Sequence, residues 1–196
     1  MSSQTPLYLP PFVLVTGNSG KLAETRRLLG RRIESITVEL PEIQSLDLAA
    51  VLRAKADEAA RHTDAAFAVE ETALELDALN GFPGPLVKWM LDAIGAEGIA
   101  RVALAAGNAR ARARCRLLLR AAGRDLEAEG VTEGTLVLPP RGGRGFGWDP
   151  VFLPAGETRT YGELPAADKD RLGHRGRAWR QLLATFATAA DRGEPG

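Results

Sequence analysis

Apolar and polar positions alternate along this chain in two rhythms, and the switches between them mark its elements. Phe12-Val-Leu-Val-Thr16 is a short, β-branched apolar run that predicts a buried strand. Gly17-Asn18-Ser19-Gly20 breaks it. Lys21 to Leu29 then reads as a helix, with Leu22, Leu28 and Leu29 on its apolar side and Gly30 as its stop. Ile33 to Leu40 alternates as a second strand, Leu48 to Arg61 is an alanine-rich helix, and Ala65 to Val69 is another short buried strand. After Glu70-Glu71-Thr72, the stretch Ala73 to Leu79 sets Leu74, Leu76 and Ala78 against Glu75 and Asp77, the period of a further strand. Asn80 to Pro85 reads as a rigid turn, and two helices follow, Leu86 to Ile94 and Glu97 to Ala105. Ala111 to Arg120 and Leu126 to Leu138 predict a pair of long strands joined around Ala122-Gly123-Arg124-Asp125. A short strand over Val151 to Leu153, a short helix over Leu164 to Leu172, a longer amphipathic helix over His174 to Ala189 and a frayed tail from Arg192 complete the chain. Helices interleaved with strands, plus a long hairpin, predict an α/β fold with a mixed sheet. No linker divides residues 1–196, so one domain is expected, ordered from about 11 to 190.

Composition narrows the function. The 196 residues carry 25 basic and 25 acidic side chains, so the global positive field of a non-specific nucleic-acid binder is missing. No apolar run approaches the ~20 residues of a membrane span, and the first residues lack the regions of a signal peptide. A single cysteine, Cys115, excludes an internal disulfide framework and suits a reducing cytoplasm. Two histidines and one cysteine cannot build the usual zinc site, so a metal would sit on oxygen ligands, which favours magnesium.

Four segments offer chemistry. Gly145-Phe146-Gly147-Trp148-Asp149-Pro150, after Pro139 to Arg144, sets two aromatics beside an acid where glycine and proline forbid a helix. Such a loop suits a nucleobase; an ordinary hairpin loop with Trp148 in the core is the alternative. Thr16-Gly17-Asn18-Ser19-Gly20-Lys21 gathers N–H groups, a hydroxyl, an amide and a lysine at a helix start, which favours phosphate. Its spacing is not that of a Walker loop, and a plain strand–turn–helix connection is the alternative. The carboxylates Glu42, Glu70 and Glu71 could hold magnesium, but strand neighbours point to opposite faces. Glu70 and Glu71 therefore enter one site only if the strand has already ended. Lys169 with Gly173-His174-Arg175 can present several donors at a helix start, whereas His62 reads as surface.

In order and spacing these segments resemble the inosine triphosphate pyrophosphatase family, which hydrolyses non-canonical purine nucleoside triphosphates. The resemblance rests on Thr16-Gly-Asn18 with Gly20-Lys21, Leu40-Pro-Glu42-Ile-Gln44 and Ala78-Leu-Asn-Gly-Phe-Pro-Gly84. It continues through Val87-Lys-Trp-Met90, Gly145-Phe-Gly-Trp-Asp-Pro150 and Gly173-His-Arg175, from about residue 12 to 186. Val87-Lys88-Trp89 is similar to the eukaryotic-type branch. The resemblance implies a two-lobed α/β fold with a long mixed sheet, a central nucleotide cleft, a homodimer and magnesium. It implies that Thr16, Asn18, Lys21 and Lys55 hold the triphosphate and that Glu42 and Glu71 bind the metal. Phe146 would stack on the base, Trp148 and Asp149 would shape and anchor its pocket, and Lys169, His174 and Arg175 would read the purine edge. Glu71 and Lys21 are the residues it assigns to catalysis.

Two positions depart from that pattern. Glu70-Glu71-Thr72 stands where the family has an aspartate before Ser or Thr, and Gly173 stands where serine is common. The extra methylene of Glu71 moves its carboxylate by about 1 Å, a displacement able to cost on the order of 100-fold in rate. Three expectations follow: hydrolysis of ITP, dITP and XTP between the α- and β-phosphates, the same chemistry on a different nucleotide, or a nucleotide-binding module with little turnover.

Overall fold

A computed structural model describes residues 9–191. The tail expected to fray, residues 192–196, lies outside them. Strand β1 (Val13–Val15) leads into helix α1 (Ser19–Leu29), and β2 (Glu34–Ile36) into α2 (Leu48–Ala59). Strand β3 (Phe67–Leu76) reaches β4 (Pro83–Gly84) through a 3-10 turn at Asp77–Leu79. Helix α3 (Val87–Ala105) precedes the hairpin of β5 (Arg110–Ala121) and β6 (Arg124–Leu136). Strand β7 (Phe152–Pro154) and helices α4 (Ala166–Leu172) and α5 (His174–Asp191) complete the order.

Among the described residues these strands form one mixed sheet in the order β2-β1-β3-β5-β6-β7, with β4 beside β3. The β1 pairings to β2 and β3 are parallel, and the others are antiparallel. This is the mixed α/β sheet that the alternation of helices and strands implied. Among the described residues three apolar clusters form the core: one around Leu74, Ile99, Phe152 and Tyr161, one around Phe12, Leu14, Leu117 and Trp179, and one around Val15, Leu52, Phe67 and Leu118.

The β5–β6 hairpin and the break in α3 agree with the sequence; Gly95, at φ 68° and ψ 172°, splits that helix. Three boundaries differ. The strands expected at 65–69 and 73–79 are one strand, β3, running unbroken through Glu70-Glu71-Thr72. Every residue of β3 but Glu75 is buried, and its pairing with the long β5 carries it across the polar run. Asp77 to Leu79 leaves the sheet because Asn80 takes the left-handed conformation and starts the turn early. The second strand stops at Ile36, where its partner β1 has run out.

Outward-facing β5 residues are arginines in every second position, Arg110 to Arg116. They pair with carboxylates on both neighbours: Arg114 reaches Glu75 at 2.5 Å and Glu129 at 2.6 Å, and Arg116 reaches Glu127 at 3.1 Å. On the other face, α5 lies directly against β6. A side chain at Gly130 would stand 2.0 Å from the His174 carbonyl oxygen, so only glycine admits this contact. That close approach seats His174 and Arg175 over the sheet.

Candidate active site

The loop after β1 starts α1 with a local hydrogen-bond pattern. Asn18 is the N-cap, its Oδ1 accepting from the Lys21 N–H at 3.0 Å, while Thr16 Oγ1 accepts from the Asn18 N–H at 3.1 Å. No acid occupies the first turn, so the positive end of the helix dipole stays open to an anion. It faces a cleft of about 460 Å³. Thr16, Asn18 and Lys21 form one wall, Glu42, Lys55, Glu70 and Glu71 another, and Phe146 and Trp148 a third.

Because β3 continues through both acids, Glu70 and Glu71 serve different partners. Glu70 is buried and takes the Arg175 fork, with Nε at 3.0 Å and Nη2 at 2.9 Å, and Lys21 at 3.3 Å. Burial raises its pKa, but Arg175 and Lys21 outweigh that and bring it to about 2. Glu71 contacts Lys55 of α2, which also lies 3.5 Å from Glu42; Glu42 has a second cation, Lys88, at 3.6 Å. Burial disfavours a charged Glu42, yet Lys55 and Lys88 hold it below the usual carboxylate range.

Beyond Phe146 the ion pairs continue. Glu24 of α1 binds both Arg175 and Lys169, the latter at 2.6 Å. Lys169 also meets Asp149 at 2.6 Å, and Asp149 accepts the Phe146 N–H at 2.7 Å. Three cations, Lys21, Arg175 and Lys169, thus alternate with three carboxylates, Glu70, Glu24 and Asp149. Burial pushes Asp149 up. Burial pushes Glu24 up as well, but Arg175 and Lys169 bring it below its ordinary range. His174 is buried between the rings of Trp148 and Tyr161, at 6.4 and 5.9 Å, with no hydrogen-bond partner for Nδ1. Burial first, then Arg175, hold it well below its ordinary pKa, so it is neutral at physiological pH.

Of the residues singled out from sequence, Thr16, Asn18, Lys21, Lys55, Glu42, Glu70, Glu71, Phe146 and Trp148 line this cleft; contrary to expectation, the two neighbouring acids share it although the strand is unbroken. Asp149, Lys169, His174 and Arg175 stand behind it. The Phe146 ring has the Lys169 ammonium at 4.8 Å and the Arg175 guanidinium at 5.5 Å, and it separates the cleft from a second cavity of about 360 Å³ bordered by Glu24 and Lys169. His62 is exposed, 3.3 Å from Glu58. Sequence reasoning missed Glu24. The available signal was its position one turn after Lys21 on the same helix face.

No group of three or more His, Cys, Asp or Glu side chains converges among the described residues. Glu42 and Glu71 nevertheless reach a single ammonium, so one cation position between oxygen ligands already exists. Two carboxylates beside an open cleft fit magnesium, which takes one or two carboxylates and completes its shell with phosphate and water.

A mixed α/β sheet with a helix N-terminus, lysines and carboxylates around one cleft defines a nucleotide-handling protein. The chain belongs to the Ham1 family, whose sequence profile matches residues 12–185. It is 35% identical over 186 residues to an inosine triphosphate pyrophosphatase of Puccinia graminis f. sp. tritici, covering 89% of this chain and 96% of the relative. A HAM1 protein structure from Coxiella burnetii superposes with a TM-score of 0.76 at 30% identity, covering 91% of this chain and 98% of that one. A nucleoside-triphosphatase / dITP/XTP pyrophosphatase from Mycobacterium abscessus gives 0.64 at 32% identity, covering 87% and 98%.

The ion pairs of Glu24 make a pH prediction. Its pKa is depressed from 4.5, so its contribution to stability is complete above that value and is lost as pH falls through the lowered one. Glu24→Gln should lower Tm at neutral pH and flatten the acid decline of Tm below about pH 4.5. Thermal unfolding across that range measures both, and an unchanged acid slope would remove Glu24 from the acid response.

Proposed function

We propose that the protein hydrolyses non-canonical purine nucleoside triphosphates, ITP, dITP and XTP, to the monophosphate and pyrophosphate. The observation that carries this reading is one cleft in which a helix N-terminus and two lysines meet two carboxylates sharing a cation position. The names of the Puccinia and Mycobacterium relatives support the substrate class.

Thr16, Asn18 and the first-turn N–H groups of α1 hold phosphate oxygens. Lys21 and Lys55 balance charge that develops during in-line displacement between the α- and β-phosphates, where positioning and electrostatics dominate. Glu42 and Glu71 hold magnesium, which when bound polarises the phosphates. Glu71 orients the attacking water, its Oε1 fixed by the Thr72 N–H at 3.1 Å. Phe146 stacks on the base, Trp148 shapes the pocket and Asp149 anchors the loop. Lys169, His174 and Arg175 read the purine edge. The Nε, Nη1 and Nη2 atoms of Arg175 donate to Glu70 and Glu24, and N–H groups remain for a ligand. Hypoxanthine and xanthine present an oxygen acceptor where adenine presents an amino donor, so adenine leaves buried donors unpaired.

We further propose a homodimer. Exposed Trp89, Phe82, Ile43 and Leu46 lie at the start of α3, the turn before it and the segment that Glu42 ties to Lys88. Such apolar exposure suits an interface. The single cysteine, fully buried, suits a reducing cytoplasm.

Pyrophosphate release should be rapid from ITP and XTP and slow from ATP; nucleotide binding without release would overturn hydrolysis and leave a binding module. Glu71→Gln should lose most turnover, while Glu71→Asp should keep or raise it. Unchanged release from Glu71→Gln would remove Glu71 from catalysis. Arg175→Lys keeps the charge between Glu70 and Glu24 but removes the fork. A charged hydrogen bond is worth about 1.5–3 kcal/mol, so the ratio of kcat/KM for ITP over ATP should fall by about 10- to 150-fold. Lys21→Ala should slow both substrates alike, and a change in that ratio would contradict the division between phosphate and base contacts. Sedimentation equilibrium should give twice the chain mass, with Trp89→Glu shifting it toward the monomer; a wild-type monomer would dismiss the dimer.

A further inference from the structure

Lys55 occupies an unusual position. It is 9% exposed, yet its ammonium contacts Glu71 and lies 3.5 Å from Glu42, the two carboxylates assigned to the metal. Glu71 is buried while the Glu42 side chain is 30% exposed; without the ammonium they share, two like charges would flank one position, with Glu71 poorly solvated. The other cation near Glu42, Lys88, has a side chain 61% exposed and sits at 3.6 Å, where water screens it. Glu71 touches Lys55 directly, and at this position the chain carries glutamate, the longer of the two acids. The lysine stem is unbranched and flexible, and Lys55 borders the same cleft as Lys21 and the α1 N-terminus.

We infer that Lys55 is a stand-in cation: it holds Glu42 and Glu71 together in the metal-free protein and yields that position when a divalent ion arrives. This inference rests on the reading of Glu42 and Glu71 as metal ligands. Lys55 is then a positioning residue in one state and a phosphate partner in the next. Its displacement by the ion turns the ammonium toward the cleft, where it can meet the triphosphate. Metal loading thereby prepares the phosphate site, and an empty site keeps its lysine neutralised.

Manganese binding without nucleotide, followed by the loss of the free-ion electron paramagnetic resonance signal, tests this directly. Lys55→Met removes the competing charge and keeps the stem, so manganese should bind at least about tenfold more tightly than to wild type. Lys55→Arg, which keeps the charge, should remain near wild type. Glu42→Gln should bind more weakly. In chelator, Lys55→Met should melt below wild type, and manganese should restore it. Lys55→Gln repeats the comparison if the methionine variant folds poorly. If Glu42→Gln weakens manganese binding while the neutral Lys55 variants leave it unchanged or weaker, the stand-in role is wrong and the metal site stands. If Glu42→Gln leaves manganese affinity unchanged, the metal site itself is wrong and the stand-in role falls with it.

Discussion

The buried guanidinium of Arg175 is the interaction on which the rest of the site depends. It comes from α5, meets Glu70 of β3 and Glu24 of α1, and so ties three elements at one point. Charges removed from water are costly unless well paired, and removing one partner leaves the others stranded. The fork geometry of arginine satisfies two carboxylates at once, which an ammonium cannot do as well. Every other charged contact behind Phe146 follows from it: Glu24 is fixed, so Lys169 is fixed, and so is Asp149 with the loop it holds. The cost of that burial is borne by the tight seat of α5 on β6 at Gly130, where helix and strand backbones touch.

The unbroken course of β3 divides the chemistry. Strand neighbours face apart, so the adjacent acids Glu70 and Glu71 belong to two separate charge systems at one cleft. One system holds Arg175 between Glu70 and Glu24, and the other keeps a cation position between Glu42 and Glu71. A break in the strand at these residues would merge them and leave three or more acids competing for the same lysines.

Much of this was legible in the chain. The turn between β1 and α1, the irregular Phe146–Trp148 segment and the order of helices and strands follow from glycine placement and periodicity, which are local properties. The continuity of β3 was hidden because two consecutive acids look like a strand end, and only its pairing with β5 shows that they are buried. Glu24 was hidden for a related reason. An acid on an amphipathic helix reads as solvated until a lysine 145 residues away is seen to meet it. The positions of Lys169, His174 and Arg175 behind Phe146 also depend on tertiary packing, which a motif does not encode.

The arginine rungs of β5 set a limit on what this sheet can join. Arg112, Arg114 and Arg116 are already matched with Glu75, Glu127 and Glu129, and Arg53 of α2 extends the array to Glu127. Stacking another layer on that face would strip water from a whole lattice of ions at once, a dehydration cost that neighbouring apolar contacts could not offset. Where α2 does not already cover it, this face is therefore self-sufficient: wet and resistant to sheet-on-sheet aggregation.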